Sequence, residues 1–412
     1  MDAAKFIEDG LAKGYIHETD SVETLTIDGH RDSYKVYEVR TNILKYNIRN
    51  GRIATYITRY KQEQGDLPAD GSEDMNALIE KFIEESNPQR LKKTKLDIKA
   101  KGQQRPAVIL SDGTIIDGNR RFTCLRQLEH EETTPRYLRC FVLDAELDDK
   151  SLKGLELELQ FGQDEKVAYD PVSRLVDIYE WCRVGDLDVE FYRTKSGMSK
   201  SEMDSYLGQV DLMVEFLQFI NADGQFHIVQ DLKLQGPLNE LNLILKKCHD
   251  EEKAEDIKVA VFTSFLTKGD TDITRRVRDM GKIALSIEGD DFLDEQIEIA
   301  QLVLDAFEKI PGEGDVSVAF IRDTIRADKE TVRRQDASFE RALRLMNNEK
   351  VKNNQVKEVE KAKLGLEKVE IDLLPKLSDT ALMSIKDSLN DIRGLVDELE
   401  TAVDEYLEKQ SE

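Results

Sequence analysis

Residues 108–121 read Val-Ile-Leu-Ser-Asp-Gly-Thr-Ile-Ile-Asp-Gly-Asn-Arg-Arg, and this stretch decides how the first part of the chain folds. Two apolar, β-branched runs flank Ser111-Asp112-Gly113, and glycine supplies the positive φ that a tight hairpin requires. A second glycine, Gly118, follows the hairpin directly, and from Arg120 onward apolar residues recur at helical spacing. The sequence therefore predicts a β-hairpin, a glycine turn and a helix start, in that order.

The turn Asp117-Gly118-Asn119-Arg120-Arg121 has the chemistry of an anion site. The first N–H groups of a helix have no intrahelical partner, and the positive end of the helix dipole favours a negative ligand. Adjacent arginines add forked donors that match phosphate oxygens, and Gly118 has no Cβ to block a ligand from approaching the backbone. We predict phosphate binding at these five residues. The alternative from spacing alone is a tight turn with two solvated arginines.

Over about 104–128 the sequence resembles the N-terminal domain of ParB/sulfiredoxin-like proteins. The matching motifs are Arg105-Pro106-Ala107-Val108-Ile109 before the hairpin and Gly118-Asn119-Arg120-Arg121-Phe122-Thr123-Cys124 at the helix start, where Cys124 replaces the family's alanine. The resemblance implies that this turn holds the triphosphate of a nucleotide, with Mg²⁺. In sulfiredoxin a nucleophilic cysteine takes the place of Asn119, so sulfinic-acid reductase activity is not expected.

A second element of the family is a Glu-Asn-x-Gln-Arg box that helps to hold the metal and the phosphates. Its nearest counterpart here is the run from Glu156 to Gln163, which lacks the asparagine. The resemblance implies that Glu158 or Gln163 supports the metal or the phosphates. The alternative is that both side chains face solvent on a helix.

A third element is a DNA-binding helix-turn-helix, and residues 198–216 resemble it. The interpretation places the turn at Gly208 and begins the second helix at Gln209. Glutamine is one of the side chains that read base edges, so Gln209 is the candidate base reader and Lys200 a candidate phosphate contact. The predicted second helix contains no Lys or Arg, which predicts little sequence-specific affinity.

The C-terminal region has the clearest periodicity of the chain. Apolar residues recur at a 3-4 spacing for about four heptads, which predicts a coiled-coil helix; they are Leu382, Ile385, Leu389, Ile392, Val396, Leu399, Val403 and Tyr406. A shorter repeat from Val359 to Leu373 precedes it, and Pro375 separates the two. We predict a helical hairpin that pairs with itself or with a second copy, and we expect a homodimer.

Composition limits the remaining possibilities. The net charge of −24 repels phosphate backbones at long range, so any DNA contact must be local. No apolar stretch reaches the roughly 18 residues of a membrane helix, and the N-terminus lacks signal-peptide character, so we expect a cytoplasmic protein with no membrane contact. The four cysteines are scattered without a Cys-x-x-Cys pair, which predicts neither disulfides nor a zinc site.

Together these features predict an α+β protein. A ParB/sulfiredoxin-like nucleotide-binding domain is expected over 1–165, a helical region with the helix-turn-helix-like unit over 166–250, a helical domain over 251–350 and the coiled-coil hairpin over 351–412. The resemblance implies a nucleotide-binding switch acting on or near DNA in a plasmid, phage or genome-defence setting, with nucleoside triphosphate hydrolysis left open. The alternatives are a metal-dependent nuclease and a non-catalytic assembly or adaptor protein.

Overall fold

The structure is a computed structural model that describes residues 2–27, 30–145, 148–161, 170–268, 272–287, 289–307 and 316–411. The fold is α+β and predominantly helical. The chain forms two compact units, Met1–Leu343 and Arg344–Glu412, and the predicted boundaries near 165 and 250 fall inside the first unit. Within the described ranges, no helix combines the length and apolar character that a membrane span requires.

A six-stranded mixed sheet lies in the N-terminal part of the first unit, in the order β1-β2-β6-β4-β5-β3. The strands are β1 Ile16–Ile27, β2 His30–Arg40, β3 Lys45–Tyr46, β4 Ala107–Leu110, β5 Thr114–Asp117 and β6 Tyr137–Leu143. Strands β4 and β5 pair antiparallel with Ile109 opposite Ile115, which confirms the predicted hairpin. Its turn needs glycine because Gly113 has a φ of 85°.

Helices cover both faces of this sheet. They are α1 Ala3–Ala12, α2 Ala54–Gln64, α3 Glu73–Ser86, α4 Pro88–Lys101, α5 Asn119–Glu132 and α6 Asp149–Phe161. Ile79, Leu91 and Phe122, from α3, α4 and α5, pack on one face with Ile109. On the other face Leu159 of α6 belongs to a second apolar cluster. Strand β4 is therefore buried on both sides, which accounts for its unbroken apolar sequence.

The rest of the first unit is helical. The described helices are α7 Pro171–Tyr179, α8 Val189–Ser196, α9 Lys200–Phe219, α10 Phe226–Asp231, α11 Gln235–Leu245, α12 Glu251–Thr267, α13 Ile273–Ala284, α14 Gly289–Phe307 and the short α15 Val318–Phe320. Apolar spacing in the sequence predicts helices at 174–182, 238–247 and 294–308, and these correspond to α7, α11 and α14. Proline and glycine at 310–314 predict a break that lies outside the described residues.

The predicted position of the helix-turn-helix is wrong. Helix α9 runs without interruption through Gly208, and a Cβ on Gly208 would lie 2.4 Å from Oδ1 of Asn242. This glycine therefore serves the close approach of α11 and not a turn. The turn lies earlier, at 197–199, where Gly197 has a φ of 70° and Ser199 caps α9.

The C-terminal unit contains two long helical segments. Helix α16, Lys329–Glu367, is one continuous helix, and its C-terminal part lies in this unit. A 3-10 turn at Ile371–Lys376 contains Pro375, and α17 follows as Asp379–Ser411, so the break at the proline is confirmed. No side chain between 355 and 408 is buried. The apolar repeats of α16 and α17 therefore do not bury each other within this part of the chain.

Candidate functional site

The predicted turn lines a cleft of about 940 Å³ beside the sheet. Its lining arginines are Arg52, Arg90, Arg105, Arg120 and Arg121. They come from separate segments of the chain: the 3-10 turn before α2, the first turn of α4, the loop before β4 and the start of α5. The sequence predicts only Arg120 and Arg121 as ligand-binding residues, because no local motif marks the other three arginines.

The floor of the cleft includes the N-terminus of α5. Gly118 is the N-cap residue, and no side chain caps the helix. The first turn contains no acidic residue. The helix therefore presents its first N–H groups and the positive end of its dipole to the cleft, as the sequence predicted.

Gly118 is required for a reason that the sequence did not reveal. Its φ of 112° favours glycine, and a Cβ on it would lie 2.7 Å from Cβ of Ala107 on β4. The space that the missing Cβ leaves is thus filled by the neighbouring strand. Close packing of the turn against the sheet requires glycine at this position. The glycine is not required to make space for a ligand.

Arg121 and Asp117 are held together within the turn. Nη2 of Arg121 donates to Oδ2 of Asp117 at 3.0 Å and to the carbonyl oxygen of Pro106 at 3.3 Å. Nε of Arg121 and Oδ1 of Asn119 are buried and have no hydrogen-bond partner among the described residues. Such groups cost about 1–3 kcal/mol each when they stay unpaired, so this turn carries an energetic cost within the fold.

Arg120 is half-buried and lies near other positive charges. Burial, followed by the charges of Arg52 and Arg90 and then by that of Arg121, lowers the pKa of Arg120 to about 10. No ion pair or hydrogen bond of its side chain to another described residue is present. The cleft therefore holds a desolvated cation for which the described part of the chain supplies no counter-ion.

Arg126 lies six residues after Arg120 on α5 and is a structural arginine. Its Nε donates to Oε2 of Glu80 at 2.9 Å, and its Nη2 is ion-paired with Glu73. Burial opposes protonation here too, but these two carboxylates raise the pKa of Arg126. Arg126 is therefore paired within the fold, whereas Arg120 has no carboxylate partner among the described residues.

Glu158, one of the two predicted supporting residues, does not line the cleft. Oε1 of Glu158 accepts from Nζ of Lys195 at 2.7 Å, and the neighbouring Leu159 takes the position on the cleft wall. Gln163 lies outside the described residues. The carboxylates that do line the cleft are Glu23, Asp97 and Asp117.

The first unit contains a buried charge cluster, which is formed by Lys153, Glu156, Asp177 and Tyr192. Nζ of Lys153 is 2.6 Å from Oδ1 of Asp177 and 3.1 Å from Oε2 of Glu156, and the hydroxyl of Tyr192 donates to Oδ2 of Asp177 at 2.6 Å. Burial is the largest influence on Glu156 and raises its pKa, whereas the charge of Lys153 and, to a smaller extent, that of Arg52 act in the opposite direction. The cluster joins α6, α7 and α8.

Gln209 cannot read a base in this structure, and its predicted role is wrong. Its side chain is buried, and Nε2 donates to the carbonyl oxygen of Ser205 at 3.1 Å and to Oδ1 of Asn239 at 3.2 Å. Oε1 accepts from Nε2 of Gln235 at 3.2 Å. Lys200 is exposed in the first turn of α9, so its contact with a phosphate stays a prediction.

Neither models of protein families nor curated proteins match this chain. The ParB/sulfiredoxin-like assignment therefore stays a prediction from the residues of the hairpin and the turn. The function has to be inferred from the geometry and charge of the cleft.

Proposed function

We propose that the chain is a nucleotide-binding protein and that the cleft binds the phosphates of a nucleoside triphosphate. The observation that carries this proposal is Arg120, a desolvated cation beside other arginines at an uncapped helix N-terminus. A partly desolvated charge without a counter-ion is unfavourable. An anion bound at the start of α5 offsets that cost and satisfies the free N–H groups.

The cleft is lined by both charged and apolar side chains. In the proposed complex, Arg120 contacts the phosphates together with Arg90, and Arg121 keeps its place through Asp117. The apolar lining residues include Phe141 and Leu159, which suit the base and the sugar. The volume of about 940 Å³ lies within the roughly 300–1,000 Å³ that small-molecule sites occupy.

Magnesium would enter this site with the nucleotide. Mg²⁺ is usually held by one or two carboxylates together with substrate phosphates. In the described part of the chain no three His, Cys, Asp or Glu side chains form a metal-binding group. Asp97 on the cleft wall has no ion-pair partner among the described residues, and we assign it as the carboxylate that approaches the ion.

The resemblance to ParB/sulfiredoxin-like proteins extends the proposal. It favours a nucleotide-dependent switch acting on or near DNA in a plasmid, phage or genome-defence setting. Lys200 at the start of α9 is the candidate contact to DNA phosphates. We assign no residue to water activation, so hydrolysis is not part of the proposal.

The proposal also includes a homodimer through the C-terminal helices. Segment 344–368 contains seven Lys and Arg against four Asp and Glu, whereas α17 contains three against nine. Pairing of α17 with another α17 would bring like charges together, but α17 and segment 344–368 are complementary. We therefore assign segment 344–368 of a second copy as the partner of α17, in a two-fold arrangement.

A thermal-shift screen of the full chain against the four nucleoside triphosphates with Mg²⁺ tests the function. A ligand that binds the folded state raises the melting temperature by mass action, and we expect one triphosphate to do so. Nicking of plasmid DNA without nucleotide would favour the nuclease instead. If the chain neither binds a nucleotide nor nicks DNA, the result would favour an assembly protein and overturn the proposal.

A further inference from the structure

Helix α4 is strongly basic in an acidic protein. Within its 14 residues it contains six cations, which are Arg90, Lys92, Lys93, Lys95, Lys99 and Lys101, and one acid, Asp97. The chain as a whole has a net charge of −24. A local excess of this size on one helix therefore stands out against the charge of the rest of the molecule.

The two sides of α4 differ in how these cations are paired. Towards α5, Nζ of Lys95 lies 2.5 Å from Oε1 of Glu131, and Nζ of Lys99 lies 3.1 Å from Oε1 of Glu132. These two lysines are neutralised within the fold.

The opposite side of α4 faces the cleft. Arg90, Asp97 and the intervening Thr94 line the cleft. Positions 90, 93, 97 and 101 are spaced by three and four residues, so Lys93 and Lys101 share this side of the helix. We call Arg90, Lys93 and Lys101 the outer stripe.

All three residues of the outer stripe are exposed. None makes an ion pair or a side-chain hydrogen bond with another described residue. The stripe therefore continues the positive charge of the cleft onto the surface, with Asp97 as its one opposing charge.

We propose that the outer stripe of α4 binds the sugar-phosphate backbone of a nucleic acid that passes the mouth of the cleft. From residue 90 to 101 the helix extends by roughly 16 Å, and one strand of a duplex places about five phosphates along that distance. Flexible lysines spread over an exposed helix match such a row of charges. A small phosphate compound would engage the desolvated arginine inside the cleft instead.

This inference goes beyond the proposed nucleotide site, because Lys93 and Lys101 do not line the cleft. The contact is a local one in the field of an acidic protein, so it is weak at physiological salt and strengthens as salt is lowered.

Fluorescence anisotropy with the full chain tests the inference, using a labelled 20-nucleotide single strand and a 20-base-pair duplex at several salt concentrations. Lys93→Gln with Lys101→Gln is expected to weaken binding about tenfold at low salt. For the duplex it should also reduce the slope of log K against log salt by about 2, because each phosphate that a lysine no longer neutralises accounts for about 0.9 of that slope. The matched control is Lys92→Gln with Lys99→Gln, which removes the same charge from the other side of α4 and should change neither quantity.

Absence of binding to both polymers would overturn the inference, and so would an equal reduction of affinity in the two double variants. Displacement of the nucleic acid by polyglutamate of equal charge would also overturn it. That result would identify an acidic protein surface as the partner. The thermal shift by nucleotide separates the two sites: the Lys93 and Lys101 variant should keep that shift, whereas Arg120→Ala should lose it. Failure of the shift in the unchanged protein would contradict the nucleotide site alone.

Discussion

Arg121 donates from Nη2 to Oδ2 of Asp117, four residues earlier on the same turn, at 3.0 Å. This pair neutralises one of the two adjacent arginines inside the turn. Arg120, the other, has no such partner among the described residues. The two arginines therefore have different roles: Arg121 shapes the turn, and Arg120 provides the charge for an anion.

Replacing Arg120 with Ala should abolish nucleotide binding without destabilising the protein. The substitution removes a desolvated cation that repels its neighbours, so the melting temperature should stay the same or rise. Isothermal titration with the best triphosphate and a thermal melt measure the two effects. Arg126→Ala on the same helix is the control. It should lose about 3 kcal/mol of stability, because the partly buried Glu80 would no longer have its ion-pair partner. A large decrease in the stability of Arg120→Ala would show that this arginine is structural.

Gly118→Ala should destabilise the protein by roughly 3 kcal/mol, because it combines an unfavourable φ with a contact to Ala107. Gly197→Ala is the matched comparison, since Gly197 also has a positive φ but no atom within 4 Å of its Cβ position. It should cost only about 1 kcal/mol. Urea denaturation measures both. Adding Ala107→Gly to Gly118→Ala should restore the steric part of the stability, and no restoration would contradict this interpretation of the turn.

Glu156→Gln should change how stability depends on pH. Burial raises the pKa of Glu156 above its ordinary value of 4.5, so the folded state binds a proton more tightly than the unfolded state. Stability should therefore fall as pH rises from about 4.5 through the raised pKa. Denaturation of the unchanged protein and the variant across this range should show a steeper fall in the unchanged protein. Parallel curves would mean that Glu156 remains ionised beside Lys153.

Gln209→Ala should weaken the fold and leave DNA affinity unchanged. The substitution removes the buried amide that bonds Ser205, Asn239 and Gln235, which is expected to cost about 1–3 kcal/mol. Chemical denaturation and anisotropy with duplex DNA measure the two properties. Lys200→Ala is the control for exposed polar residues of α9 and should leave stability within about 0.5 kcal/mol. A stable Gln209→Ala variant that lost a DNA footprint would restore Gln209 as a base reader.

The full chain should sediment as a dimer, and a chain ending at Asn348 should sediment as a folded monomer. The truncation removes most of segment 344–368 and all of α17, whose residues Val396 and Val403 are 44% and 56% exposed. Val396→Asp with Val403→Asp in the full chain should give the same monomer, because the charges interrupt the apolar stripe. A monomer for the unchanged chain would show that no second copy covers this stripe.

Local preferences in the sequence were sufficient to predict the hairpin and the start of α5. Gly113 readily adopts the positive φ that this tight turn requires, and Pro375 cannot continue a helix, so both signals operate within a few residues. Glycine alone is ambiguous, however. Gly208 was interpreted as a turn but lies inside α9, because a glycine can mark either a positive φ or a close approach by another helix, and only packing distinguishes them.

The sequence by itself determined the turn 117–121, its arginines and the acidic character of the chain. Tertiary structure alone decided which arginine lacks a partner and which distant cations accompany it. Arg52 and Arg90 are about 70 and 30 residues away from Arg120 along the chain, and the folding of α4, α5 and the sheet brings them to one cleft. The physical reason is that electrostatic partners are set by distance in space and by desolvation, and neither can be read from spacing along the chain.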